Sequence, residues 1–379
     1  MAALSRHERI LRIFQNRPYD RPALKLWGYY PGMKTVHPAY DAVCQKAYEL
    51  SDIFWPYEPA FHVYCGQNSR SAIRALPFQK IREGYLEQEI LYQTPRGVLT
   101  QVDGFSLVSG HGYTKKFAVN EPEDLEATLA MPYEPEPFLL EDYLAQCRRL
   151  GSRGMVMISL EHAGYALHKL MGSENLAYFT VEHRDLLQYA VGVYAKRICD
   201  FVEGMFRQGL GPDTPFCWYG PEVLIPPLAS YRDFDQFVCQ ADAPLCDLIH
   251  SRGGFVWVHC HNKTGCLLQK YIDLGVDVLN PLEPPPNGDV NLRESVARFG
   301  NRIGWEGNIE IQELISSPTE RIQELLEQCV EAGAPSGRFI LCPSSGFMEV
   351  QNPSQHYIEN LLFYLEKGYE LVNRYAAVD

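Results

Sequence analysis

Apolar positions along this chain follow two periods. Short apolar runs occupy residues 155–160, 215–219, 255–260, 276–280, 302–305 and 338–342, each about strand length. Amphipathic segments of helix length separate them. The clearest covers about 184–208, where Leu187, Val191, Tyr194, Ile198, Phe201 and Met205 recur at steps of three or four. Strands that alternate with helices are joined by crossovers, so a parallel sheet is expected. Two earlier runs, Ala23–Trp27 and residues 52–57, raise the count to eight, the number that closes a barrel. An open doubly wound sheet is the rival, but no GxGxxG follows the first strand. The expected fold is therefore α/β, a single (β/α)8 TIM barrel over residues 1–379.

Local signals add detail at the amino end. Ser5 and Glu8 form a capping-box pattern, with Ile10, Leu11 and Phe14 as the buried face of an N-terminal helical extension. Asp20-Arg21-Pro22 ends it. Residues 86–103 alternate around Pro95-Arg96-Gly97, which predicts an inserted β-hairpin. The acidic stretch from Asn120 to about Pro137 reads as a surface helix and linker.

Composition narrows the class. Of 379 residues, 46% are hydrophobic and 21% charged, a globular balance. A net charge of -13 argues against nucleic acid or an anionic membrane as partner, since both need clustered Lys and Arg. There is no long apolar run to span a bilayer, and charges interrupt the start where a signal peptide needs apolar residues. A cytoplasmic location is expected. The 11 cysteines show no CxxC and read mostly as reduced core residues.

In a barrel of this kind the chemistry lies at the carboxyl ends of the strands. Those ends hold Trp27 and Tyr29, Trp55 and Tyr57, Glu161 and His162, Tyr219 and Glu222, His259 and His261, Glu283, Glu306 and Asn308, and Cys342 to Ser345. His259 and His261 stand two apart, so in extended chain they share a face and can chelate one zinc ion. Glu283, 22 positions after His261 and flanked by prolines, is a third candidate ligand, and Cys342 a fourth. The plainer alternatives stay open. Two such histidines can simply hydrogen-bond in a polar pocket, and Cys342 can be a small buried hydrophobe. Glu222 and Glu161 are candidates for proton transfer, or else helix-start residues. The aromatic group Trp27, Tyr29, Tyr30, Phe54, Trp55, Tyr57, Phe61 and Tyr64 can form a substrate pocket or belong to the core.

Several stretches resemble one family. Ser5–Leu11 with Asp20-Arg21-Pro22, the run from His259 through Leu274–Pro281, Gly307-Asn308-Ile309 and Phe339–Gly346 are similar to uroporphyrinogen decarboxylase-like proteins. The resemblance implies a (β/α)8 barrel. The family's decarboxylases carry an Arg-Gln-Ala-Gly-Arg signature after the first strand, where this chain has Leu26–Gly32 with no arginine. The chain looks more like the family's zinc methyltransferases, which use H-x-C, in some members a later Glu, and a late Cys. It departs from them in having His261 for the expected Cys and Ser345 for the late Cys, with Cys342 three residues earlier. A nitrogen- and oxygen-rich donor set is harder than a thiolate-rich one.

The resemblance implies a zinc-dependent methyltransferase that moves a methyl group between a small, methoxylated substrate and a corrinoid. The corrinoid would ride on a separate partner protein, because the chain has no D-x-H-x-x-G motif. A homodimer is compatible with this reading. Two other readings stand beside it. A decarboxylase or lyase for another acid would work without metal and would need a pocket arginine, Arg70 or Arg74. A non-catalytic binding barrel would leave the histidines without carboxylate partners.

Overall fold

The computed structural model describes residues 3–108, 111–348 and 350–376. Strands β1 (Ala23–Leu24) and β2 (Ile53–Tyr57) belong to one sheet. Strands β3 (Ile73–Ala75), β4 (Gln79–Arg82), β5 (Tyr85–Thr94), β6 (Gly97–Ser106) and β7 (Gly112–Lys116) belong to another. The first sheet continues with β8 (Gly154–Glu161), β9 (Pro215–Tyr219), β10 (Phe255–His259), β11 (Val278–Asn280), β12 (Gly304–Ile309) and β13 (Phe339–Pro343).

The first sheet has eight parallel strands in the order β1-β13-β12-β11-β10-β9-β8-β2. It is curled, with one face turned inward. Ala23, Phe54, Met155, Met157, Cys217, Trp257, Val278 and Ile340, drawn from seven of its strands, pack into one inner cluster. The opposite face meets the helices in a larger outer core. Alternation along β10 assigns the two sides: Trp257 goes inward, while Val256 and Val258 go out to the helices.

No ladder joins β1 to β2 among the described residues. Asp52 bridges the seam instead. Its backbone N–H donates to Leu24 O at 2.6 Å, and its Oδ2 accepts the Leu24 N–H at 2.9 Å. The same carboxylate pairs with Arg9 Nη1 at 2.5 Å and Arg21 Nη1 at 3.2 Å, while Asp20 takes Arg9 Nε at 2.8 Å. The helix Arg6–Phe14 ends well before the Asp20-Arg21-Pro22 stretch, which instead ties it to the seam.

Most expected elements lie where periodicity puts them. The helix Arg6–Phe14 starts at Ser5, whose side chain accepts the Glu8 N–H, although the Glu8 carboxylate pairs with Arg12. The long helix is Arg184–Arg207, and its six periodic residues are all buried. Three differences bear on the site or the architecture. The first strand stops at Leu24, though Lys25 N–H still donates to Leu341 O at 2.8 Å. The strand expected at 302–305 runs over Gly304–Ile309, which puts Glu306 and Asn308 within it. The expected hairpin is the centre of a five-stranded antiparallel sheet, because β5 also pairs with β3 and β4 and β6 with β7. Short polar strands such as Gln79–Arg82 carry no apolar alternation, so periodicity cannot detect them.

Among the described residues, no helix is long and apolar enough to cross a membrane.

Candidate active site at the carboxyl ends of the strands

The inner face of the sheet opens at its carboxyl end into a cavity of about 460 Å³. Trp27, Phe54, Tyr165, Tyr219 and Trp257 supply aromatic wall, with Lys25, Glu58, Glu222, His259 and His261 among the polar lining. This size and mix, apolar walls with a few convergent polar groups, suit a small organic ligand.

His259 ends β10 and lies opposite Asn280, its register partner on β11. Its Nδ1 is 2.5 Å from Asn280 Oδ1, and its ring stacks on Trp27 with centroids 4.5 Å apart. Burial, with the nearby His261, lowers its pKa to about 3, so the ring is neutral near pH 7. Asn280 Nδ2 donates to Glu306 Oε1 at 3.0 Å, and Lys25 Nζ reaches the same oxygen at 2.6 Å. The Lys25 ammonium sits 4.1–4.4 Å from the ring centres of Trp27, Phe54 and Trp257.

His261 meets His259 edge to face, with ring centroids 4.6 Å apart. Its environment has the opposite sign. Nδ1 is 2.7 Å from Glu283 Oε1, and Glu283 Oε2 accepts the Asn262 N–H at 2.6 Å. Burial alone would lower the His261 pKa, but the Glu283 hydrogen bond and the charges of Glu283, Glu222 and Glu310 outweigh it and raise it. Two imidazoles side by side are thus biased apart, one toward the free base and one toward the cation.

Glu222 follows Gly220, whose φ of 100° turns the chain out of β9. Burial raises its pKa, and its Oε2 has no hydrogen-bond partner among the described residues. Glu161, the other candidate for proton transfer, is 2.5 Å from Lys169 Nζ. Its neighbour His162 starts the helix Ala163–Glu182: Nδ1 accepts the Gly164 N–H at 3.0 Å, and Nε2 lies 3.0 Å from Asp242.

The remaining sequence candidates scatter. Trp27 and Tyr219 line the cavity, but Tyr29 lines a separate surface groove and Asn308 a third one near Pro284. Trp55 stacks on Tyr30, because alternation in β2 turns Phe54 inward and Trp55 outward. Tyr57 packs on Phe138 and Tyr143. Cys342 is fully buried beside Glu306, away from the cavity lining, and Cys260 is sealed in the outer core. Arg70 pairs with Glu136, and Arg74 sits exposed on β3; neither lines the cavity.

The site also holds residues that sequence reasoning passed over: Lys25, Trp257 and Asn280, and Glu306 without a role. A signal existed for Lys25. A lysine inside an apolar strand, two before Trp27, shares the inward face and needs a buried counter-charge.

The histidines suit a metal in donor chemistry. Each has Nδ1 engaged by an outer partner, and no hydrogen bond engages Nε2 of either ring among the described residues. The complete donor set is not gathered. Among the described residues no three His, Cys, Asp or Glu side chains are close enough together to hold one ion. Glu283 has both oxygens engaged, and Cys342 stands apart.

No family model and no curated protein matches this chain. Among solved structures it is similar to a methyltransferase from Methanosarcina mazei. The identity is 15%, the TM-score is 0.60, and the match covers 97% of this chain and 99% of that one. At that identity the likeness is one of fold.

Proposed function

We propose that this chain is a methyltransferase that moves a methyl group between a small, methoxylated substrate and a corrinoid held by a separate protein. In this reading the curled sheet is a closed (β/α)8 barrel of the uroporphyrinogen decarboxylase-like kind. The observation that carries it is the pair of anchored imidazoles, Nε2 unengaged, in an aromatic-walled cavity at the carboxyl ends of the strands. The fold likeness to a methyltransferase adds support.

Zinc belongs to the proposal. His259 and His261 would hold it through Nε2, with Glu283 as the carboxylate. When bound, such an ion would supply Lewis acidity toward the substrate heteroatom. The chain's own groups do the rest. Trp27, Tyr219 and Trp257 hold a flat or apolar substrate and exclude water. As the carbon–oxygen bond breaks, its electron pair stays on oxygen and the methyl group passes to the carrier's corrinoid. The Glu222 carboxyl, kept protonated more readily by burial, delivers a proton to that oxygen.

A decarboxylase for a multiply charged acid is less well supported. Among the described residues the cavity lining contains no arginine, and its one lysine is paired with Glu306.

The test is elemental analysis of the purified protein, with methyl transfer from a methoxylated arene to cob(I)alamin. About one zinc per chain, lost together with activity in the His259→Ala, His261→Ala double variant, is the expected result. A chain that takes up no zinc and transfers no methyl group would overturn the reading.

A further inference from the structure

The four residues Lys25, Glu306, Asn280 and His259 form a buried chain in which each link dictates the next. Lys25, just past β1, carries an ammonium that can only donate, and it bonds Glu306 Oε1 at 2.6 Å. Complete burial raises the Glu306 pKa and the Lys25 ammonium works against it, while Oε1, which takes that ammonium, is fixed as an acceptor. An oxygen that already takes the Lys25 ammonium can only accept, so Asn280 must turn its Nδ2–H toward it, and the distance is 3.0 Å. The other end of the amide is then an oxygen, and it faces His259 Nδ1 at 2.5 Å. Nδ1 must therefore carry the proton. The links β12, β11 and β10 are adjacent in the sheet, so neighbouring strands hold them in register. Trp27, stacked on the imidazole, fixes the plane of the ring.

We propose that Lys25, Glu306 and Asn280 are positioning residues that lock His259 in its Nδ1–H tautomer and leave the Nε2 lone pair for the cavity. The neighbour His261 shows what the arrangement avoids. A carboxylate, Glu283, holds His261 and stabilises its cation; an amide at Asn280 orients His259 without doing so. The lock deepens the reading of the cavity as an active site, but it is read out with no substrate present, so it stands or falls separately from methyl transfer.

The test uses the full chain labelled with 15N-histidine, the His259 signals being identified by their loss in His259→Gln. In the unmodified protein Nδ1 should carry the proton and Nε2 should not. Asn280→Leu removes the acceptor, so an Nε2–H form of His259 should appear. Lys25→Met should do the same from the far end, because Glu306 then takes a proton and lets the Asn280 amide turn over. Asn280→Asp should restore the lock, as a carboxyl sharing one proton with Glu306 still accepts from Nδ1–H. If methyl transfer is established, Asn280→Leu should lower kcat about tenfold or more with KM little changed. A proton on Nε2 in the unmodified protein would overturn the proposal, even where no variant folds. So would an unchanged tautomer in folded Asn280→Leu.

Discussion

Replacing Asp52 with alanine tests whether one carboxylate holds the β1–β2 seam. The side chain is fully buried and accepts from Arg9 Nη1, Arg21 Nη1 and the Leu24 N–H. Removing it leaves Arg21 with Pro22 O as its remaining buried partner, and Arg9 with Asp20 and Leu4 O. Breaking a buried ion pair on one side costs about 3–5 kcal/mol, since the other charge stays uncompensated. Arg9 keeps Asp20, which argues for the lower half of that range. A chain of 379 residues gains roughly 0.8 kcal/mol/K of entropy on unfolding, so the expected fall in Tm is about 4–5 °C. Thermal unfolding followed by circular dichroism at pH 7 measures it. A fall under about 1 °C would refute the reasoning, since it would mean that the helices alone hold the seam shut.

Two further predictions follow from the geometry. In Gly220→Ala the new Cβ would lie 2.3 Å from Tyr165 Cβ and Cγ at a φ of 100°; a loss of about 1–3 kcal/mol, measured by denaturant unfolding, is expected, with Tyr165 displaced from the cavity wall. For His250, the Asp277 hydrogen bond raises the pKa above 6.5. A raised folded-state pKa stabilises fully below the unfolded value and loses its effect as pH rises through the folded one. The Tm advantage of the unmodified protein over His250→Ala should therefore be largest below about pH 6.5 and fade in alkaline buffer, and a constant difference across that range would contradict it.

Much of the architecture was legible because burial on two faces writes itself into composition. The apolar runs that became β8 to β13 and the periodic helix Arg184–Arg207 announce themselves in one dimension. The sequence also marked His259 and His261 as a pair, because a two-residue step in extended chain means a shared face whatever the rest of the fold does. Glu283 likewise ends up against His261, as proximity of neighbouring strand ends suggested.

Tertiary structure decided the rest. Whether Phe54 or Trp55 faces the cavity depends on a register that differs by one residue, and both are large and apolar, so the pattern cannot choose between them. Cys342 and Glu306 looked alike as strand-end polar residues; only the curl of the sheet brings Glu306 to Lys25 and Asn280 while sealing Cys342 beside it. The five-stranded antiparallel sheet was invisible beyond its central hairpin, since exposed polar edge strands carry no burial signal. Local pattern reports which residues leave water. Which buried polar groups meet one another is set by contacts far apart in sequence, 281 positions between Lys25 and Glu306, and those exist only once the sheet has curled.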